Sequence, residues 1–294
     1  MPGVDANGIQ SLPPGLLIAL SLIGGLVIGS FLNVVIYRLP LQLQTLWRRD
    51  ARDFLGHEPE ALADRSADKF SLIFPPSRCR DCATPIKPWQ NIPLVSYLLL
   101  RGRCGTCAAP ISLQYPTVEL SCGLLSALVI YQFGLTGQGW LALLFTWVLI
   151  ALTGIDFNHQ LLPDNLTLPL LWLGLLVNVF GVFTDLSSAV IGAAAGYLSL
   201  WSIYWAFKLL TGKEGMGHGD FKLLAALGAW LGWQQLPLII LLSSLVGAVI
   251  GSLLLLAQKK NRQQAIAFGP YLAIAGWIAL LAGDSMTAAY LAVF

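Results

Sequence analysis

Charged residues are scarce in this chain. Lysine, arginine, aspartate and glutamate make up only 11% of its 294 residues, whereas about 25% is usual for a soluble domain. Hydrophobic residues make up 56%, and the mean hydropathy is +0.71. This composition excludes an ordinary soluble protein and predicts a membrane protein. We therefore expect the lipid bilayer to be one of its partners and nucleic acid not to be one.

The apolar stretches do not alternate with polar residues but run on continuously. Only helices and closed barrels satisfy the backbone in lipid, and barrel strands would alternate. A spanning helix needs about 20 apolar residues. The sequence therefore predicts an all-α polytopic membrane protein with about eight transmembrane helices. Their predicted ranges are 13–37, 113–134, 139–155, 165–184, 187–207, 221–232, 236–257 and 264–283.

Basic residues are absent from every second connection between these helices. If the N-terminus lies outside, the inner segments hold all 17 Lys and Arg residues. Segments on the cytoplasmic side of a membrane are enriched in Lys and Arg. We therefore expect both termini outside and the long polar segment inside, between the first two helices. The inner segments are 38–112, 156–164, 208–222 and 258–263.

Four of the five cysteines lie in the segment 38–112. They form two CxxC pairs with 21 residues between them, and the residues are Cys79, Cys82, Cys104 and Cys107. Two such turns supply the four thiolates of a tetrahedral zinc site. Four thiolates leave no open coordination position, so we expect one structural zinc ion per chain. A redox-active CxxC pair and four free thiols are the alternatives.

Two aspartates lie at the inner ends of predicted helices. Asp156 ends the third apolar run, and Asp220 follows the glycine-rich stretch 215–219 before the sixth. Ionisable residues at membrane depth are costly and usually functional. Two neighbouring carboxylates share one proton, so one can deprotonate a water molecule while the other protonates a peptide carbonyl. We predict that Asp156 and Asp220 are the catalytic pair of a protease.

Signatures of other hydrolases are absent. The sequence contains no HExxH motif and no Ser–His or Cys–His arrangement that favours nucleophilic catalysis. A transporter or an ion channel can also hold two carboxylates in a helical bundle, but it more often shows an internal repeat, and we find none. A zinc-bearing membrane scaffold would explain the cysteines but not the paired aspartates.

Five further polar residues lie near the two aspartates or inside a predicted helix. Asp164 precedes the fourth apolar run and is typical of a helix N-cap, with direct catalysis as the alternative. Lys222 either stabilises the charge of the aspartate two positions before it or extends to the interface. We interpret His159 and His218 as solvated or supporting loop residues. Glu119 is either solvated at the interface or binds a cationic group of the substrate.

Several stretches in order carry a family resemblance. They extend from residue 29 to residue 270 and cover nearly the whole chain. Together they make the chain resemble the type IV prepilin peptidases, also called type IV leader peptidases, which are GxGD aspartic proteases. Besides the CxxC pairs and Asp156, the stretches are 29–40 (GSFLNVVIYRLP), 92–97 (IPLVSY), 100–104 (LRGRC), 115–120 (YPTVEL), 162–164 (LPD), 217–222 (GHGDFK) and 268–270 (FGP).

The resemblance implies a multi-pass enzyme of the bacterial inner membrane, with both termini periplasmic and the active site facing the cytoplasm. It also implies that Asp156 and Asp220 cut the basic leader from type IV prepilins or from the pseudopilins of type II secretion systems. A GxGD protease that acts on another membrane substrate, or that lacks a second activity, is the alternative.

Family members with the cysteine-bearing loop typically have that second activity. They methylate the new N-terminal residue, using S-adenosylmethionine as the methyl donor. By this resemblance, residues 1–134 are the methyltransferase part with the zinc-binding loop, and residues 135–294 are a six-helix peptidase core. The sequence contains no glycine-rich nucleotide loop, so the residues that bind the methyl donor stay unassigned.

Overall fold

The fold is helical throughout the part of the chain that the structure describes. The structure is a computed structural model and describes residues 13–56, 71–72, 74–257 and 267–292. Within these residues, the only β pairing consists of two isolated bridges. The chain divides into two compact units, Met1–Leu135 and Thr136–Phe294. The prediction of an all-helical protein is confirmed for the described residues.

Nine α-helices follow one another along the described residues. Short 3₁₀ helices precede α2 and α8. The helices α1 to α3 belong to the first unit, and α4 to α9 belong to the second. Their bounds are Pro14–Phe54 (α1), Val95–Leu99 (α2), Gln114–Phe133 (α3), Gly137–His159 (α4), Asp164–Asn178 (α5), Leu186–Thr211 (α6), His218–Leu231 (α7), Leu236–Ala257 (α8) and Gly269–Leu291 (α9).

Among the described residues, six helices are long and apolar enough to cross a membrane, namely α1, α3, α4, α6, α8 and α9. The other two predicted spans are helical but short: α5 has 15 residues and α7 has 14. At 1.5 Å per residue they are about 22 Å long, less than the hydrocarbon core of about 30 Å. A multi-pass helical protein is confirmed, while the count of eight spans and the sides of the termini stay predictions.

The helix α1 extends well beyond residue 37, the predicted end of the first span, and reaches past Pro40. It continues through this proline as one helix of 41 residues. A proline inside a helix costs about 3 kcal/mol because a hydrogen bond is lost. Leu39 and Leu43 are buried nearby, and burying each side chain contributes about 1.5–3 kcal/mol, which offsets that cost. The first part of the polar segment 38–112 is therefore helical, and residues 57–70 and 73 of this segment lie outside the described residues.

Two glycines of α1 allow it to pack closely against α3. Gly25 and Gly29 are four positions apart, which is the spacing of small residues at membrane helix pairs. A Cβ on Gly25 would lie 2.7 Å from the backbone oxygen of Cys122, and one on Gly29 would lie 2.7 Å from the Cα of Glu119. A larger residue cannot fit there, so these glycines bring the carboxylate of Glu119 against α1.

The helix α7 is the central helix of the second unit. Phe221 and all of residues 223–230 are buried, and α5, α6 and α9 pack around the helix. Gly192 and Gly196 of α6 are also four positions apart, which is the spacing of small residues at closely packed membrane helix pairs. A Cβ on Gly196 would lie 2.7 Å from the backbone oxygen of Leu224. Other helices of the unit therefore enclose the short α7.

Asn178 ends α5 and satisfies the C-terminal end of α7. The last carbonyl groups of a helix have no partner within it. The Nδ2 group of Asn178 donates hydrogen bonds to the carbonyl oxygens of Ala229 (2.9 Å) and Trp230 (3.0 Å). Its Oδ1 atom accepts hydrogen bonds from the amides of Phe183 and Thr184. One buried side chain thus supports both a helix end and the following turn.

Asn178→Leu should destabilise the protein, because it leaves two buried carbonyl groups without their partner. Each unsatisfied group costs about 1–3 kcal/mol, so we expect the free energy of unfolding to fall by about 2–5 kcal/mol. Denaturant unfolding of the detergent-solubilised protein measures this change. Asn165→Leu is the matched control, since Asn165 is exposed on the same helix, and it should change stability by about 0.5 kcal/mol at most. Equal effects of the two substitutions would contradict the role of Asn178.

Candidate active site

Asp156 lies in the last turn of α4 and is only 5% exposed. The backbone amide of Gly269, at the start of α9, donates a 3.0 Å hydrogen bond to its Oδ2 atom. A Cβ at position 269 would lie 2.6 Å from this oxygen, so a glycine is needed for the approach. The first turn of α9 thus holds the Asp156 carboxylate, and a helix N-terminus stabilises negative charge.

Asp220 lies in the first turn of α7 and is 6% exposed. Its Oδ1 atom is buried and has no hydrogen-bond partner within the described residues. A Cβ on Gly219 would lie 2.7 Å from the Cβ of Leu162, so glycine allows the start of α7 to pack against the segment before α5. A buried carboxylate oxygen without a partner is costly, and it provides an acceptor for a water molecule or a substrate.

The two carboxylates lie close enough for the charge of Asp156 to act on Asp220. Both are withdrawn from solvent, and two like charges in such a place cannot both ionise. In a pair of carboxyl groups that shares one proton, one member can accept a proton while the other donates one. The second unit thus brings the two predicted catalytic residues together in an arrangement suited to acid–base chemistry.

Asp164 does not cap α5, which corrects the expectation from the sequence. The helix begins at Asp164 itself, with Pro163 in the cap position and no side-chain cap. The Asp164 carboxylate instead accepts hydrogen bonds of 2.7 and 2.8 Å from the Nζ atom of Lys222. Both side chains are partly exposed, so the pair contributes at most about 1 kcal/mol. Lys222 therefore links α7 to α5, and its extension to the membrane interface stays a prediction.

The two histidines of the site region lie at helix ends. His218 is exposed at the start of α7, and its ring centroid lies 5.1 Å from that of Tyr204 and 5.4 Å from that of Phe221. His159 is half-buried at the end of α4. The ring contacts of His218 agree with the expected supporting position, because they tie the glycine-rich segment to α6.

The four predicted zinc ligands come together in the first unit. The Sγ atoms of Cys79, Cys82, Cys104 and Cys107 all lie within 4.8 Å of one another. Those of Cys79 and Cys107 are 3.8 Å apart, which is about the separation of two sulfurs on a tetrahedral zinc ion with bonds of about 2.3 Å. Four converging thiols are a donor set that fits a structural metal ion.

The two CxxC pairs lie in two copies of one turn. Residues 78–86 and 103–111 share the pattern R-C-x-x-C-A-x-P-I, a short repeat that the sequence analysis missed. In both copies the amide of the first cysteine donates to the carbonyl five positions later, over 2.9 and 2.8 Å. The alanine has a positive φ of 55° or 59°, and the arginine and proline form a β-bridge. The first unit therefore builds its four-cysteine cluster from two equivalent halves.

Hydrogen bonds favour the thiolate form of one cysteine in each turn. The Thr84 hydroxyl, 3.3 Å from the Sγ atom, and the Thr84 amide lower the pKa of Cys82 to about 6. The amides of Cys107 and Thr106 lower the pKa of Cys104. Burial and the three neighbouring thiols raise the pKa of Cys107 to about 12. Cysteine binds a metal as the thiolate, so binding of an ion to this cluster would release protons.

Glu119 is not solvated at the interface, which corrects the first of the two interpretations of this residue. Its side chain, near the start of α3, is 8% exposed. The amide of Leu94 donates a 2.8 Å hydrogen bond to its Oε2 atom, and the Ser30 side chain of α1 also bonds to it. Burial of a carboxylate requires such partners. The interpretation that remains is the binding of a cationic group.

Two family profiles match the chain, one in each unit. Residues 23–133 match the profile described as Bacterial Peptidase A24 N-terminal domain, and this range includes the four cysteines and Glu119. Residues 143–252 match the profile described as Type IV leader peptidase family, and this range includes Asp156 and Asp220. The residues that the two units bring together thus lie inside the matched regions.

Curated relatives match along nearly the whole chain. A protein of Stutzerimonas stutzeri named prepilin leader peptidase/N-methyltransferase is 58% identical over 271 residues, which are 92% of each chain. Proteins of the same name from Pseudomonas aeruginosa and Aeromonas hydrophila are each 57% identical and cover 91% and 96% of both chains. No solved structure gives a significant match.

Proposed function

Because the chain belongs to the type IV leader peptidase family, we propose that it cleaves the leader peptides of prepilins and methylates the new N-terminal residue. Relatives named for both activities align with more than nine-tenths of the chain. The structural observation that carries the proposal is the buried pair of Asp156 and Asp220 inside the matched peptidase region. The protein is thus an aspartic endopeptidase and an N-methyltransferase.

Asp156 and Asp220 act as the catalytic pair. The ionised carboxylate removes a proton from a water molecule, and the neutral carboxyl group donates its proton to the carbonyl oxygen of the scissile bond. The water oxygen bonds to the carbonyl carbon, the C–N bond then breaks, and the leaving nitrogen takes up a proton. The Gly269 amide orients Asp156, and the Oδ1 atom of Asp220 offers the buried acceptor that a bound water molecule needs.

The substrates are type IV prepilins or pseudopilins of type II secretion systems, whose apolar segments approach through the inner membrane of a bacterium. Their basic leaders stay on the cytoplasmic side, where the catalytic pair works. The one-sided distribution of all 17 Lys and Arg residues supports this orientation. With α5 and α7 as short crossings, the chain crosses the membrane eight times, and both termini are periplasmic.

Methyl transfer belongs to residues 1–134 and leader cleavage to residues 135–294. S-adenosylmethionine supplies the methyl group. The N-terminal amine of the cleaved pilin loses a proton, and its nitrogen then bonds to the methyl carbon. The carbon–sulfur bond breaks, and its electron pair stays on sulfur, which leaves S-adenosylhomocysteine and a methylated amine.

One structural zinc ion joins the two cysteine turns of the cytoplasmic loop. The four sulfur atoms could hold it, and four thiolate ligands would leave no position for a catalytic water molecule. The cytoplasm is reducing and disfavours disulfides. Zinc therefore stabilises the segment 79–107 and takes no part in either reaction.

Mass spectrometry of a purified prepilin, incubated with the detergent-solubilised enzyme and S-adenosylmethionine, tests both activities together. We expect the substrate to lose its leader and to gain the mass of one methyl group. Loss of the leader without methylation would contradict the transferase activity. An unchanged substrate that a known family member cleaves would contradict prepilin cleavage and favour a protease for another membrane substrate.

Asp156→Asn and Asp220→Asn should each abolish leader cleavage, because an amide cannot exchange a proton as the carboxyl group does. We expect kcat/KM to fall by about 10²–10⁴-fold or more when cleavage is measured at equal amounts of membrane-inserted protein. Asp164→Asn is the matched control, since it removes a partly exposed carboxylate that pairs with Lys222, and it should retain activity. Near-normal cleavage by Asp220→Asn would remove this residue from the pair.

The purified protein should contain one zinc ion per chain, measured by elemental analysis. Cys79→Ala should lose the metal, because three thiolates no longer complete the tetrahedral site. Cys122→Ala, which changes a cysteine buried in α3 outside the cluster, should keep it. A metal-free preparation that is folded and active would refute the structural role of zinc.

A further inference from the structure

The first unit contains a cavity of about 480 Å³ between α1, α3 and the cysteine-bearing segment. This volume lies in the range of small-molecule sites, which combine apolar walls with a few polar groups. Three polar residues of α1 and α3, namely Ser30, Asn33 and Glu119, line the cavity, and we call them the acceptor cluster. Neither peptide hydrolysis nor zinc binding uses any of them.

Asn33 provides an unsatisfied acceptor in this cluster. Its side chain is 4% exposed, and its Nδ2 group donates a 3.1 Å hydrogen bond to the backbone oxygen of Tyr115. The Oδ1 atom of the same side chain is buried and has no hydrogen-bond partner among the described residues. A buried polar atom without a partner is uncommon and costs about 1–3 kcal/mol. An occupant of the cavity that donates a hydrogen bond would satisfy it.

Glu119 adds a carboxyl group to the same place. Tyr115, which holds Asn33, lies four positions before Glu119 and so on the same face of α3. Ser30 and Asn33 are three positions apart on the facing side of α1, and Ser30 bonds to Glu119. The carboxylate and the amide oxygen therefore converge from two helices. Two acceptors, one of them a carboxylate, favour a cation that carries hydrogen-bond donors.

The cavity also contains a cation of its own, which suits the anionic part of a ligand. The guanidinium group of Arg80 lies 4.3 Å from the ring centroid of Tyr37 and 5.6 Å from that of Tyr115, and all three residues line the cavity. Stacking on an aromatic face fixes the orientation of a guanidinium group, which binds carboxylates well. The cavity thus offers partners for both charges of an amino acid.

We propose, on the basis of the methyltransferase function proposed above, that this cavity is the methyl-transfer site and that Glu119 and Asn33 bind a cationic substrate group there. Two participants carry such a group: the amino-acid part of S-adenosylmethionine and the N-terminal amine of the cleaved pilin. The residues fit the methyl donor, because the cavity is large enough and provides acceptors for its cation and Arg80 for its carboxylate.

Direct binding of S-adenosylmethionine, measured by calorimetry on the purified full-length protein without pilin, provides the first test. Glu119→Gln keeps the size of the side chain and an acceptor for the Leu94 amide but removes the charge. Asn33→Leu removes the unsatisfied oxygen. Asp50→Asn is the matched control, because Asp50 is an exposed carboxylate on α1 that does not line the cavity.

Steady-state methylation of a pre-cleaved pilin identifies the source of the cation. If the methyl donor supplies it, Glu119→Gln and Asn33→Leu should raise the Kd of S-adenosylmethionine at least about tenfold. If the pilin amine supplies it, that Kd stays unchanged and KM for the pilin rises by a similar factor. Asp50→Asn should change neither constant. Both patterns support the proposal.

Three results would overturn the proposal. Unchanged Kd and KM in Glu119→Gln and Asn33→Leu would show that the acceptor cluster binds no reactant. A parallel loss of zinc from these variants would assign the effect to the fold of the unit. A wild-type enzyme that cleaves prepilin but neither binds S-adenosylmethionine nor methylates would refute the methyltransferase function itself, and the two failures are therefore distinguishable.

Discussion

The need to satisfy polar atoms away from water shapes both units of this protein. Within the described residues, most buried polar side chains have a defined partner: Asn178 bonds to the end of α7, and Asp156 bonds to the Gly269 amide. In the described part of the chain, two buried side-chain oxygens have no partner, namely the Oδ1 atoms of Asn33 and Asp220. One lies in each unit, beside a buried carboxylate, and such exceptions are expected where a protein binds something else.

Glycines make these sites possible by allowing backbones to approach each other. Gly29 places Glu119 of α3 against α1, and Gly269 admits a backbone amide to the carboxylate of Asp156. In both cases a single methyl group would occupy the space of the contact. The chemistry of the two sites thus depends on residues that carry no functional group, and the helix pairs of both units use the same four-residue spacing of small residues.

The chemical groups were easier to predict than the contacts between them. Asp156, Asp220 and the four cysteines stand out because charged residues and thiols are rare in an apolar chain. The contacts depend on tertiary structure. Asp164, for example, accepts a hydrogen bond from Lys222, 58 positions away, and does not bond to the amides of its own helix. Pro40 is tolerated because its neighbours are buried. Other helices enclose the short α7, a packing that hydropathy along the chain does not describe.

The duplicated cysteine turn gives the first unit a removable cross-link. A metal ion held by both turns closes the 21 intervening residues into a loop, and a cross-link over this length stabilises a fold by about 3 kcal/mol in the chain-entropy model. This loop contains Leu94, whose amide holds the Glu119 carboxylate. Removal of such a metal ion would therefore loosen a buried carboxylate that the ion does not touch. Under the proposed division of the two activities, this loss would bear on methyl transfer more directly than on leader cleavage.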